Sequence, residues 1–206
     1  MSEGLQCFLV RHGLTDWNEQ GRLLGRSEVG LNARGRRQAE LLAQALRAFP
    51  VEAVLASPQR RAQETAAVIA EAHGLAVETS EALAEVWLGR WVGKTFAEIA
   101  ADPEIDRYLR DPTYGGGVIE PVADVQRRMV GVVERLRAGR AGGTVVLVSH
   151  GDPLRALIAH YLGLDLSAFR RFALAPGSVS VLRFGAQRAR LLLLNWRPGG
   201  LEAILR

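Results

Sequence analysis

Three short apolar runs punctuate the chain: LQCFLV at 5–10, VEAVLA at 51–56 and TVVLVS at 144–149. Each is aliphatic or β-branched with little polar alternation, the pattern of strands buried on both faces of a parallel sheet. Each also breaks sharply into a polar or helical segment. The spacing predicts a helix from about Ala33 to Phe49, with Asn32 as N-cap and Ala39, Leu42, Ala45, Leu46 and Phe49 on one face. Gly35 in its first turn reads as a small cost. The second run leads into PQRRAQETAAVIAEAHG, a helix with Pro58 near its first position and Gly74 just past its end. DPLRALIAHYLG repeats that order after the third run, which is itself preceded by the amphipathic helix PVADVQRRMVGVVERLR. Residues 80–120 are less regular, with TFAEIAAD and PEIDRYLRD as short helices and PTYGGG as a loop. SVSVLRF and ARLLLLNW read as two further strands, a hairpin at a sheet edge.

Strands alternating with helices predict an α/β fold, a three-layer sandwich in which a mostly parallel sheet carries helices on both faces. At 206 residues the chain can bury a sizeable core. A single domain over 1–206 is expected, with 80–120 as a small irregular helical cap. Hydrophobic residues are 48% and charged residues 23%, which calls for no disordered or fibrous reading. The longest apolar runs fall far short of the roughly 18 residues of a spanning helix, and MSEGLQ lacks the pattern of a secretion signal. No membrane partner and a cytoplasmic location are therefore expected. Cys7, the single cysteine, reads as a small buried hydrophobe. The net charge of +4 could suggest nucleic acid, but Lys94 is the one lysine and the arginines are scattered among Asp and Glu. No nucleic-acid partner follows. Apolar runs at the edge hairpin would suit pairing with a second copy, a homodimer.

Parallel strands bring their carboxyl ends to one rim, where ligands bind. The three ends carry RHG, SPQRR and SHG, so Arg11 and His12, Arg60 and Arg61, and His150 converge there. Cations around an imidazole make a site for a dianion, with phosphate the obvious candidate, because guanidinium matches phosphate oxygens bidentately. Gly13 and Gly151 would let backbone approach the ligand. The chain has no GxxxxGK[ST] loop, and His73 and His160 lie outside any HExxH arrangement, so neither a metal nor a cofactor is implied.

The segments LVRHGLTDWN, GRSEVGLNARGRRQA, SPQRRAQETA, LAEVWLGRWVG and VSHGDPLRALI, in that order, resemble the successive motifs of the histidine phosphatase superfamily, phosphoglycerate mutase-like branch. The resemblance covers about residues 8–163 and is closest to the broad-specificity and α-ribazole phosphatase type. It implies a phosphoglycerate mutase-like fold and metal-free phosphoryl transfer through a phosphohistidine on a small phosphoester. It makes His12 the nucleophile, Arg11, Arg61 and His150 the phosphate pocket, and Glu85 the proton donor. Asn18, Thr15, Gly25 and Gly151 would contact substrate, whereas Arg60 would be a helix-surface charge. Departures from the pattern are Val92 where glutamate is frequent, Pro121 in place of a serine in GVIEP, and Gln59 and Glu64, taken as packing changes. Only 64 residues separate Glu85 from His150, a short excursion that favours a phosphatase over a mutase, which must shield its phosphohistidine from water. The other alternative is a regulatory protein that binds phosphoesters without turnover. The walls from Arg90 to Gly117 and around Ser178 would select among sugar phosphates, phosphoglycerates, nucleotides and ribazole phosphate.

Overall fold

The computed structural model describes residues 4–116, 119–185 and 188–199. Six strands form one sheet: β1 (Gln6–Arg11), β2 (Val51–Ala56), β3 (Val77–Thr79), β4 (Thr144–Ser149), β5 (Val179–Phe184) and β6 (Ala189–Trp196), in the order β3-β2-β4-β1-β5-β6. The first four are parallel, β5 runs antiparallel to β1, and β6 closes the edge as a hairpin partner of β5. This is the α/β architecture expected. β4 lies between β2 and β1, so the three strand ends that carry RHG, SPQRR and SHG are neighbours.

The apolar runs serve two cores at once. Cys7, Leu9, Val145 and Leu147 point into one cluster, and Phe8, Val10, Val146 and Val148 into the other. Period-two geometry puts successive side chains on opposite faces, so a strand covered on both sides must be apolar throughout. The helices α2 (Ala33–Leu46) and α3 (Arg60–Glu71) cover the second face through Leu42, Leu46, Ala66 and Ile69. On the first face lie α6 (Val122–Gly139) and α7 (Gly151–Tyr161), which bury Met129, Val133, Leu154 and Leu157. Each such aliphatic side chain contributes roughly 1.5–3 kcal/mol by leaving water. Burial pushes the Cys7 thiol up to about 12, the behaviour of a hydrophobe rather than a reactive thiol.

Several boundaries differ from the sequence expectation. α2 stops at Leu46, because Pro50 disfavours helical geometry at Phe49. Phe49 instead turns back onto Phe8 with ring centroids 4.9 Å apart, and Ala43, not Ala45, completes the buried face. Pro58 precedes α3, whose N-cap is Gln59. A short helix, α1 (Asp16–Glu19), stands in the loop after β1, and β3 pairs with β2 at the sheet edge. Both are too short to show a periodicity. Gly35 is required: a Cβ there would lie 2.0 Å from the Leu14 carbonyl oxygen. Within 80–120 the expected helices are α4 (Phe96–Ile99) and α5 (Ile105–Arg110), with Trp91, Ile99, Ile105 and Tyr108 joining the first core. The PTYGGG loop is seen as far as residue 116, while Gly117 and Val118, the first two positions of GVIEP, lie outside the described residues. Among the described residues no helix is long and apolar enough to cross a membrane.

Candidate active site

Strand register sets the spacing of the two histidines. Arg11 pairs with Ser149 at the ends of β1 and β4, and His12 and His150 are the next residues. The His12 N–H donates to the Ser149 carbonyl at 3.0 Å, extending the ladder one step. The two rings therefore stand with centroids 5.1 Å apart, both wholly buried. β2 ends level with them, Ala56 opposite Val148, and the chain turns through Ser57 into α3, which brings Arg61 against His12.

The hydrogen bonds of His12 define its protonation. Nδ1 lies 2.7 Å from the Gly13 carbonyl oxygen. A carbonyl can only accept, so Nδ1 carries the proton and Nε2 keeps its lone pair. Burial first, and then the guanidiniums of Arg61 and Arg11, hold the ring well below the ordinary histidine range, so it is neutral at pH 7. Arg61 Nε approaches Nε2 at 3.3 Å, a long contact that an incoming phosphoryl group can replace. The rest of that guanidinium donates to the carbonyls of Ser27 at 2.9 Å and Gly25 at 2.7 Å. Arg11 donates to the Leu174 carbonyl at 2.5 Å, and its Nε is buried with no hydrogen-bond partner among the described residues. Burial lowers Arg61 to about 10, which leaves it charged at neutral pH. Among the described residues neither arginine has a carboxylate within ion-pair distance. Desolvated cations without a counter-ion cost several kcal/mol each. A dianion between them offsets that cost.

Glu85 stands across from this pair. Its Oε1 accepts the Val86 N–H at 2.9 Å, and its Oε2 lies 3.9 Å from His150 Nδ1. Burial, helped by the negative charge of Asp152, raises its pKa to about 7 against the opposing pull of Arg61. The backbone around it is clamped: its carbonyl accepts from Arg26 Nε at 3.0 Å and Arg128 Nη2 at 3.3 Å. Glu120 holds both of those arginines, at 3.0 Å and 2.9 Å. The Glu85 N–H in turn donates to Gln59 Oε1 at 3.1 Å.

A cavity of about 440 Å³ opens at this rim, lined at its inner end by Arg11, Asn18, Gly25, Glu85 and Gly151. His12, Arg61 and His150 lie behind them, without solvent exposure. The rest of the lining mixes apolar side chains such as Leu23, Leu88, Phe96 and Leu109 with the charged Arg22, Asp152, Arg155 and Arg170. Asn18 Oδ1 accepts from both the backbone N–H and the hydroxyl of Thr15, at 3.2 and 3.0 Å, which leaves its amide N–H groups for a ligand. Thr15 itself is buried and its proton is committed to Asn18, so it orients the donor and does not line the cavity. Gly25 has φ +47°, and a Cβ there would meet Val92 at 2.7 Å. Val92 thus packs against the turn whose carbonyl holds Arg61.

Other expectations change. Gly13 is glycine because a Cβ would lie 2.5 Å from the Gly35 carbonyl oxygen, and its N–H donates to Thr65, so it serves packing in place of ligand approach. At Gly151 a Cβ would make only an ordinary contact with Arg11. Ser178 is buried, with its carbonyl accepting the Arg11 N–H at 3.0 Å, and is not a cavity wall. Gln59 and Glu64 do more than pack: Glu64 accepts from Arg60 Nε at 2.6 Å and from the Leu31 N–H at 2.8 Å. Arg60 is a surface charge, as expected. Pro121 occupies the N-cap of α6 without a side-chain cap. Ser57, Arg26, Arg128 and Glu120 were given no role in the sequence, where polar residues beside a strand end or on an amphipathic helix look like solvated ones, and Gln59 was read there as packing. Among the described residues no three His, Cys, Asp or Glu side chains converge as a metal cluster.

Comparison with known proteins identifies the family. The family model of the histidine phosphatase superfamily (branch 1) matches residues 7–197. Phosphoserine phosphatase 1 of Hydrogenobacter thermophilus is 36% identical over 196 residues, 93% of this chain and 92% of that protein. A probable phosphoglycerate mutase of Yersinia enterocolitica is 37% identical over 197 residues, covering 93% and 90%. Among solved structures, a mycobacterial glucosyl-3-phosphoglycerate phosphatase complexed with VO3 superimposes with a TM-score of 0.85 at 31% identity, over 93% of this chain and 99% of that one. With the motifs, the fold and the family model in agreement along nearly the whole chain, this protein belongs to the histidine phosphatase superfamily.

Proposed function

We propose that the protein is a phosphomonoesterase that hydrolyses a small phosphorylated metabolite through a phosphohistidine, without a metal. The observation that carries this is the His12 ring: neutral, proton on Nδ1, lone pair on Nε2, beside the buried Arg61 and the half-buried Arg11, neither of which has a carboxylate within ion-pair distance among the described residues. Nε2 attacks phosphorus as the ester P–O bond breaks. Arg11, Arg61 and the Asn18 amide hold the equatorial oxygens, where charge spreads in a loose transition state. Protonated Glu85 gives its proton to the leaving alkoxide. It then takes a proton from water, whose oxygen attacks phosphorus, breaks the P–N bond and releases inorganic phosphate with His12 restored. Relatives named as phosphatases support this reading. A relative named as a probable mutase supports a second one, in which the phosphohistidine returns its phosphoryl group to another hydroxyl.

The test is release of phosphate from p-nitrophenyl phosphate with chelator present, then from a panel of phosphomonoesters. The wild type turns over and acquires an acid-labile, base-stable phosphoryl label. His12→Ala keeps its fold and loses both. Near-normal turnover by His12→Ala refutes the mechanism, and phosphoglycerate isomerisation without phosphate release selects the mutase reading.

A further inference from the structure

One buried amide reaches both halves of the site. Gln59 is 4% exposed, and its Oε1 lies 3.1 Å from the Glu85 nitrogen and 2.6 Å from Ser57 Oγ. A backbone N–H only donates, so the amide atom facing Glu85 is the oxygen. That oxygen also needs the Ser57 proton, because two lone-pair-bearing oxygens at 2.6 Å would otherwise repel. Ser57 has one proton to give. Its 2.7 Å contact with His150 Nε2 is therefore made with a proton from the histidine. His150 is then the Nε2–H tautomer, and its Nδ1, buried on the Glu85 side with no hydrogen-bond partner among the described residues, presents a lone pair.

A lone pair there repels a phosphoryl oxygen, and a proton there binds one. We propose that Gln59 is a positioning residue that, through Ser57, holds His150 with an unprotonated Nδ1 toward the phosphoryl pocket, so that His150 takes up a proton when a phosphoryl group binds. The second clause rests on the phosphoryl-transfer reading above. The proton comes from solvent to Nδ1 and returns to it when phosphate leaves, while Nε2–H stays on Ser57 throughout. The groups that face His150 are Glu85 at 3.9 Å, the His12 ring and Arg11 from β1, Arg61 from α3 and Arg128 from α6. Burial and the charges of Arg61, Arg11 and Arg128 keep the His150 ring neutral. A bound dianion counters the cations, so His150 becomes charged only in the occupied pocket.

Nitrogen-15 NMR of histidine-labelled protein at pH 8, with the ring assigned from a His150→Asn spectrum, reads the tautomer directly. The ligand-free wild type is expected to show the proton on Nε2 of His150, and a proton on Nδ1 overturns the proposal without any further variant. Gln59→Leu frees the Ser57 hydroxyl to donate to Nε2 and is expected to move the ring proton to Nδ1. An unchanged tautomer in the folded variant removes Gln59 from the account. Ser57→Ala cuts the same link with less change of volume and is expected to give the same shift. Titration calorimetry with inorganic phosphate in two buffers of different ionisation enthalpy counts the proton, in a Glu85→Gln background so that Glu85 does not contribute. About one proton more is expected with Gln59 than with Leu at that position. Equal uptake overturns the linkage, and a site that binds no phosphate overturns the phosphoryl reading while the tautomer assignment is judged by NMR alone.

Discussion

Replacing Glu85 by glutamine separates a catalytic role from an electrostatic one. In the folded protein its pKa stands at about 7, against 4.5 for an ordinary glutamate. Between those two values the folded state keeps a proton that the unfolded chain has released. Stability therefore falls as pH rises across that window, in full effect below pH 4.5 and lost once pH passes about 7. A shift of this size corresponds to on the order of 3 kcal/mol. Glu85→Gln keeps the shape and cannot ionise, so its stability should lack this component, while the oppositely signed contributions of buried His12 and His150 remain in both proteins. Urea unfolding at pH 5 and pH 8.5 measures the difference: the wild type should lose on the order of 3 kcal/mol more than the variant across that interval. Turnover of an alkyl phosphate should drop by roughly two to four decades, the usual worth of a positioned general acid. In the wild type, kcat/KM should decline above about pH 7 as the donor ionises. Parallel stability curves for the two proteins would falsify the claim that this carboxyl is held protonated by burial.

Two further outcomes test the neighbouring structure. Arg61→Ala removes a cation from the reacting oxygens and leaves the Gly25 and Ser27 carbonyls without their donor, so kcat should fall by roughly two to three decades and the unfolding free energy by a few kcal/mol; Arg60→Ala, one residue away, loses an exposed pair with Glu64 and should change either by less than about twofold or 0.5 kcal/mol. Gly35→Ala, which by helix propensity alone would gain about 1 kcal/mol, should instead lower the melting temperature and impair turnover, because the new methyl meets the Leu14 carbonyl at 2.0 Å and displaces the loop after His12; a gain in stability there would show that the crossing of these backbones is slack.

Much of the site was legible because strand ends are visible in the pattern. Largely apolar runs end at Arg11, Ala56 and Ser149, and a parallel sheet gathers such ends at one rim. Glu85 was found only through its motif, since a glutamate in an irregular loop is normally solvated and ionised. Its supports were hidden for a related reason. Arg128 occupies an amphipathic helix and Arg26 and Glu120 occupy loops, where charge is the default, and their closing on one carbonyl is a long-range event. Gln59 looked like a substitution for packing, yet it spans two elements 26 positions apart.

The amino-acid order alone determined the longer strands and helices, that the central strands are covered on both faces, and that histidine and arginine follow the strand ends. Those properties depend on periodicity and on neighbours within a few positions. Only the folded arrangement decided that β4 inserts between β2 and β1, which brings the two rings to 5.1 Å. It also decided which ring nitrogen carries each proton, that Thr15 serves Asn18 rather than a ligand, and that Gly13 and Gly35 are glycines because their backbones touch. Proton placement and desolvation depend on every group within a few ångströms, whatever its distance along the chain, and a linear sequence does not contain that distance.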